Sequence, residues 1–394
     1  MRSAAALGTA ASLLLAGLSA PALSHADTAG SATARLLGVH VLEHGLDYRG
    51  TTVGGLSGID YDPDSGEYVL ISDDRSEHGP ARYYSAEIGL SGGGIGGVAL
   101  TGATALRRFD RTPFPALEDW HPPRWCAHAG GYCDLRGPVD PEAVRFDPRG
   151  HRVWWSTEGE RSVGDTRTVL LDPLVRATDD AGRFRGHLRT PSNLRMDDGD
   201  TGPRRNLTAE GFAFADHGRL IVTAMEGPLL QDGDLPTPES GTLTRVTVQN
   251  RGGWVRDQYA YPLEPVPAEP EPAGGYYDNG VTDILALDAG RADRYLVLER
   301  SYVEGVGNTV RIFTADTGGA TDVSRTESLA DAEDVTPMSK RLLVDLGETG
   351  LDHVDNVEGM TWGPDLPSGE RTLLLVSDDN FSDSQVTQIV ALAV

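Results

Sequence analysis

The chain has 394 residues and a formal net charge of −25, and Lys340 is its only lysine. Such a surface excludes nucleic acid and anionic membranes as partners, because both are themselves negative. Clustered carboxylates point instead to hard divalent cations, which take oxygen ligands.

The chain opens with MRSAAALGTAASLLLAGLSAPALSHA, an early Arg, an apolar run and small residues before a cut after Ala26. These are the marks of a secretory signal peptide over residues 1–26. No later segment approaches the roughly 20 consecutive apolar residues of a membrane helix. The mature chain, residues 27–394, is therefore expected to be secreted, soluble and built as a single domain. Nothing signals a dedicated interface, so a monomer is expected.

Residues 34–45, ARLLGVHVLEHG, read as an apolar strand, and a motif then recurs five times. The copies are LSGIDYDPDSGEYVLISDD from Leu56, DPEAVRFDPRGHRVWWSTEGE from Asp140, AEGFAFADHGRLIVTAME from Ala209, TDILALDAGRADRYLVLE from Thr282 and VEGMTWGPDLPSGERTLLLVSDD from Val357. A repeat of this kind decides architecture before any local reading does. Its first position holds Ser57, Glu142, Glu210, Asp283 and Glu358. Two and four residues on stand large apolar side chains, such as Val144 and Phe146 or Met360 and Trp362, the period of a strand with a buried face. Between them stand Gly58, Ala143, Gly211 and Gly359, with Ile284 the exception. Small residues belong where backbones crowd, as innermost strands do around a propeller axis.

A turn rich in Asp, Pro and Gly follows, then a second apolar strand ending in Asp73, Glu158, Glu226, Glu299 or Asp378. An antiparallel hairpin returns to the edge it left, so both acids of each copy are expected at one end of the sheet. Radial repetition of four-stranded sheets fits modules of this size. The expected fold is an all-β propeller of five blades, with room for a degenerate sixth in the long interval after the first copy. After the last hairpin only QVTQIVALAV remains, and the N-terminal strand is expected to complete that blade.

Long connections are expected to gather on the acidic face, including the Pro-rich YPLEPVPAEPEPAGGYYDNG from Tyr261. Cys126 and Cys133, in WCAHAGGYCD, are expected to form a disulfide in an oxidising compartment. A zinc site of these cysteines with His121 and His128 is the alternative, though its spacing matches no standard finger.

Carboxylates converging on a channel repel one another unless protons or cations neutralise them, and calcium is the natural neutraliser. Asp74 and Asp379 extend the acidic ends of the first and last copies, which become neighbours in a closed ring. Arg75, Arg161 and Arg300 follow second strands, where they either pair with surface acids or present planar forks to an anionic substrate such as phosphate. GGLSGI is no nucleophile elbow, since Ile59 stands where G-x-S-x-G requires Gly. Among the loop histidines His353, just ahead of Glu358, is the candidate for acid–base work.

The motifs GLSGIDYDPDSGEYVLISDDRS, DPEAVRFDP, TAEGFAFADHGRLIVTAMEG, GNTVRIF and NVEGMTWGPD followed by LLLVSDDNF together resemble the phytase-like family, "esterase-like activity of phytase". The resemblance spans nearly the whole mature chain. It implies an exported phosphoesterase whose acids map onto Glu142, Glu210, Glu358, Asp73, Asp74, Asp378 and Asp379, with Ser57 and Asp283 replacing the Glu of the other copies.

The sequence therefore leads to a calcium-dependent hydrolase of phosphate esters. Glu142, Glu210 and Glu358 with Arg75, Arg161 and Arg300 are its candidate catalytic groups. Asp73, Asp74, Glu158, Glu226, Asp283, Glu299, Asp378 and Asp379 are the candidate metal ligands. The substrate is expected to be a small anionic phosphate ester. A lactonase or carboxylesterase on the same propeller, and a non-catalytic calcium-stabilised binding module, are the alternatives, because propellers host many functions.

Overall fold

Second strands such as YVLIS, LIVTAM and TLLLV are apolar at consecutive positions because each is buried on both faces. Leu373 and Leu375 pack toward the preceding repeat, whereas Leu374 and Val376 pack toward the first one. Likewise Tyr68 and Leu70 face the last repeat, and Val69 and Ile71 the second. Period-two alternation thus sends one strand into two separate cores, which is the packing of radially stacked sheets.

We describe a computed structural model covering residues 34–122, 126, 133–164 and 168–394. The expected signal peptide and His128 lie outside the described residues. The described residues form one compact unit. The chain enters through β1 (Arg35–Val41) and a small ribbon of β2 (Asp47–Tyr48) and β3 (Thr51–Thr52). Blade one is β4 (Leu56–Tyr61), β5 (Tyr68–Ser72), β6 (Arg82–Ser91) and β7 (Gly94–Ala105). Blade two is β8 (Pro141–Phe146), β9 (Val153–Thr157), β12 (Leu174–Thr178) and β13 (Phe184–His187), with a ribbon of β10 (Glu160–Val163) and β11 (Thr168–Leu171) inserted after β9. Blade three is β14 (Ala209–Ala215), β15 (Leu220–Met225), β16 (Thr242–Asn250) and β17 (Val255–Leu263). Blade four is β18 (Tyr277–Ala286), β19 (Arg294–Val303), β20 (Gly307–Asp316) and β21 (Ser339–Asp345). Blade five is β22 (Asn356–Trp362), β23 (Thr372–Asp378) and β24 (Gln388–Ala393), with β1 as its outer strand, so both ends of the propeller share one sheet.

The first strands close a ring: β4 touches β8, β8 touches β14, β14 touches β18, β18 touches β22, and β22 touches β4. Five blades are therefore present, and among the described residues there is no sixth. A Cβ added at Gly58 would lie 2.5 Å from the Glu142 carbonyl oxygen, and one at Gly359 would lie 2.7 Å from that of Ser57. The small-residue position is where neighbouring backbones crowd.

Every inner hairpin carries a register shift at its acidic end, after Leu56, Pro141, Ala209, Val281 and Val357. The shift is a bulge, which re-aims the bulged side chain. In blade four the bulged residue is Thr282, because Val281 pairs with Glu299 and Asp283 with Leu298. In blade five Val357 pairs with Ser377 and Gly359 with Val376. Blade four is thus one residue out of step with the repeat read from sequence. Asp283 takes the small-residue position, and Arg300 the position of Asp378.

Asp283 accordingly sits in the channel. Arg145 Nη2 lies 2.6 and 2.8 Å from its two carboxylate oxygens, and its Oδ2 accepts the Met360 N–H at 2.8 Å. Arg145 also donates to the Ile59 carbonyl. One buried ion pair ties blades one, two, four and five together at the axis. Among the described residues no helix is long and apolar enough to cross a membrane. Cys126 and Cys133 form the expected disulfide, so neither is free to ligate zinc.

Candidate functional site

The acidic end of the ring opens into a cavity of about 710 Å³. Its walls carry Asp73, Glu142, Glu158, Glu210, Glu226, Glu358 and Asp378, all at the expected strand ends, together with Arg75 and Arg300. Bulges aim Glu142, Glu210 and Glu358 inward from the first strands, and the second strands deliver the others. Blade four breaks the pattern: Thr282 replaces a glutamate, and Arg300 replaces an acid.

That replacement sets the electrostatics. Arg300 Nη1 lies 3.1 Å from Asp278, and its Nη2 lies 3.3 Å from Glu358 and 3.7 Å from Glu226. Across the cavity Arg75 Nη2 lies 2.5 Å from Asp140 Oδ2 and donates to Asn206 at 2.7 Å. Asn356 donates to Glu358 at 2.9 Å and reaches Asp378 at 3.3 Å. Glu158 Oε1 accepts the Thr208 N–H at 3.0 Å.

Burial pushes the carboxyls of Asp73, Asp140, Glu142, Glu210, Glu226, Glu358 and Asp378 above their ordinary range, and neighbouring carboxylates add to the push. Arg75 opposes it at Asp140, and Arg300 opposes it at Glu226 and Glu358. Each of these acids holds its proton more tightly than in water unless a cation takes the proton's place.

The donors fit a hard cation. Asp140, Glu142 and Glu158 bring one carboxylate oxygen each within 4.8 Å of one another, as do Glu158, Glu210 and Glu226. Asp73 Oδ1 and Asp140 Oδ1 are enclosed without a hydrogen-bond partner. Buried oxygens of this kind call for a ligand, and an all-oxygen donor set suits calcium or magnesium better than softer metals.

Five sequence candidates stand elsewhere. Asp283 is spent on Arg145 in the channel, because the slip in blade four turns it off the cavity. Glu299, for the same reason, faces away and accepts from Tyr261 Oη at 2.7 Å and Lys340 Nζ at 2.6 Å. Asp74 pairs with Arg82 and accepts the Glu77 and His78 N–H groups. Asp379 accepts the Gly55 N–H at 2.8 Å and the Phe381 N–H at 3.1 Å. Arg161 donates to the carbonyls of Asp197 and Gly199 on an exposed loop. These groups hold the rim and the channel together.

Other residues at the site went unread in the sequence. Asp140, Thr208 and Asn356 each stand two residues before the ring glutamate of their copy, so extending the repeat upstream would have found them. Asp278 and Tyr302 carry no repeat signal. They line the cavity because β18 and β19 extend beyond the ring, taking the end of the Pro-rich stretch into a strand where a loop was expected. His353 lies on the rim, its Nε2 3.2 Å from Oδ2 of the buried Asp355.

The family model described as phytase-like, esterase-like activity of phytase, matches residues 51–381. Compared with curated proteins, the chain has no significant sequence match. Among solved structures it is similar to a periplasmic gluconolactonase of Pseudomonas aeruginosa, at 12% identity and a TM-score of 0.35 over 87% of this chain and 90% of that one. It is also similar to a glucose dehydrogenase, at 12% identity and a TM-score of 0.37 over 91% and 98% of the two chains. A gluconolactonase of Xanthomonas campestris gives 12% identity and a TM-score of 0.33 over 86% of each chain. Likeness this distant carries no argument about activity.

Proposed function

The chain belongs to the phytase-like family, and we propose that it is an exported hydrolase of phosphate esters that works with a hard divalent cation, calcium foremost. One observation carries this reading: a single cavity brings Glu142, Glu158, Glu210 and Glu226 together with two guanidiniums, Arg75 and Arg300. The carboxylates would hold the cation, which supplies positive charge to a phosphoryl oxygen and a lowered pKa to water. Arg75 and Arg300 would orient the remaining phosphoryl oxygens and stabilise charge that develops on them. Glu358, held by Asn356 and Arg300, would take a proton from water. His353, held by Asp355, would return one to the leaving oxygen. The sequence signal for export and the disulfide support a compartment outside the cytoplasm.

A second reading takes a lactone or carboxylester as substrate. It is favoured by the pairing of both guanidiniums with carboxylates, which leaves an uncharged substrate less repelled than an anion. Hydrolysis of phosphate monoesters, phosphate diesters, inositol hexakisphosphate, a lactone and a carboxylester by the purified protein decides between them. Phosphate release that needs calcium is the expected result. Lactone or carboxylester turnover alone would move the assignment to the second reading. Turnover of none, by a protein that calcium still stabilises, would leave a binding module.

A further inference from the structure

Blade four rises above the ring. Its inner strands β18 and β19 run 10 residues each, against 5 to 7 in the inner strands of the other blades. Alternation carries one face of that extension over the cavity. Asp278 and Arg300 line it, and so do Tyr302, two residues beyond Arg300, and Val306 in the turn that follows. Tyr276, two residues before Asp278, stands beside Tyr302 with the ring centroids 6.2 Å apart. Tyr276 is 61% exposed, Val306 54% and Tyr302 38%, so the three present an apolar ledge to solvent at the cavity mouth. Elsewhere the rim is polar, with Asn206, Asn380, Ser384 and Gln385.

Hydrogen bonds fix this ledge in place. Tyr276 Oη donates to Asp278 Oδ2 at 3.0 Å, and the Tyr302 N–H donates to Asp278 Oδ1 at 2.8 Å. Asp278 in turn pairs with Arg300, so one carboxylate sets both rings relative to the guanidinium. The Tyr276 N–H donates to Glu304 Oε2 at 2.8 Å, and its carbonyl accepts the Glu304 N–H at 2.9 Å. These bonds pin the end of the Pro-rich stretch to the β19–β20 turn. Contiguous exposed apolar surface beside a concave polar site marks where the apolar part of a ligand lies. Two strand residues separate Tyr302 from Arg300, about 7 Å along β19, so one small ester reaches both.

We infer that Tyr276, Tyr302 and Val306 form the specificity subsite of the acidic cavity and take an aromatic ring carried on the ester oxygen of the substrate. The inference rests on the reading above only in placing the ester in this cavity. An aromatic ring gains from offset or edge contact with the tyrosines and from leaving water. A substrate phosphorylated all round fits poorly: with one phosphate at Arg300, others fall against the rings or beside the carboxylates of the lining, and like charges repel. The preferred substrate is therefore the ester of a single phosphate with a ring-bearing alcohol, rather than inositol hexakisphosphate.

Benzyl against ethyl esters test this, because the two alcohols have similar acidity and their ratio reports contact with the ring. With calcium present, kcat/KM is measured for the phosphate pair and for the acetate pair, and affinity for benzylphosphonate and ethylphosphonate by calorimetry. A benzyl preference on the order of tenfold is expected, falling severalfold in Y302A and in Y276A and kept in Y302F. The ratio is internal to each protein, so a smaller folded fraction leaves it unchanged. No benzyl preference in any pair, by turnover or by binding, would overturn the subsite. So would a preference untouched by both alanine variants, or inositol hexakisphosphate turned over faster than benzyl phosphate. Preference among the acetates with no phosphate release would refute the phosphoesterase reading and leave the subsite standing; phosphate release without benzyl preference would do the reverse.

Discussion

Arg145 of blade two and Asp283 of blade four meet across the propeller axis, with Nη2 2.6 Å from Oδ1 and neither side chain more than 3% exposed. The pair lies outside the lining of the acidic cavity, and Arg145 lines a separate cleft of about 830 Å³ together with hairpin-turn residues such as Pro63, Pro148 and Arg149. Removing one partner leaves a buried charge uncompensated, at a cost of about 3–5 kcal/mol. D283N and R145M are each expected to lose stability of that order in denaturant unfolding, and the double variant less than their sum. A loss below about 1 kcal/mol for both single variants would show that the pair is not the axial tie described.

The small-residue ring makes a steric prediction. An added methyl at Gly58 meets the Glu142 carbonyl oxygen at 2.5 Å and the Ala143 Cα at 3.0 Å, both backbone atoms that cannot swing away. G58A is expected to destabilise by about 1–3 kcal/mol, the usual cost of overpacking. A143G should cost less, since it removes a methyl from a site already built around one. Equal stability of G58A and the parent in thermal unfolding would contradict the crowding at the axis.

Four of the five inner hairpins were legible in the sequence because bulge and alternation kept the same spacing on both strands, even in blade five, whose longer turn sets Glu358 and Asp378 twenty residues apart. Blade four was not. Its turn is longer than in blades one to three, so the distance from Asp283 to Glu299 imitates the spacing of the true pairs while both residues sit one step off. Ile284, the single large side chain at the small position, was the trace of that slip. Shifting the copy by one residue puts Asp283 there and brings Arg300 into the acidic ring. Asp278 was illegible for a different reason: a strand extended past the repeat places it, and no periodicity marks where a strand stops. Asp74 and Asp379 read as ligands because they adjoin ring acids, but alternation turns neighbouring side chains apart: Asp74 is taken up by Arg82 and the N–H groups of its own turn, and Asp379 by the N–H groups of Phe381 and Gly55.

The raised carboxyls give stability a pH dependence whose sign is fixed. A group with a higher pKa in the folded chain binds its proton more tightly there. Stability therefore falls as pH climbs from the ordinary carboxyl values, 3.8 for Asp and 4.5 for Glu, toward the raised folded ones. Asp172, pushed up to about 7 by burial and then by Asp134, acts in the same direction up to neutrality. In chelator the melting temperature is expected to be higher at pH 5 than at pH 8. Calcium should raise it at pH 8 far more than at pH 5, because cations replace the protons lost. A melting temperature in chelator that rises from pH 5 to pH 8 would contradict this electrostatic picture.

Arg300 separates the two substrate readings. R300M removes a guanidinium from the cavity but no carboxylate, so calcium should bind no more weakly. Phosphate-ester kcat/KM is expected to drop on the order of 100-fold, the scale of losing one preorganised donor. Hydrolysis of an uncharged ester, if the protein performs it, should change little. Undiminished phosphate release by R300M would remove Arg300 from the chemistry and leave it as the clamp on Glu226, Asp278 and Glu358.

The central claim is that the carboxylates of the cavity make a cation-dependent hydrolytic site. Its most direct test is phosphate release from a diester and a monoester by chelator-stripped protein before and after calcium is restored, run beside E210Q. The account predicts no release without calcium, recovery on its return, and neither in E210Q that still folds. Release that persists in chelator, or an E210Q protein as active as its parent, would contradict it.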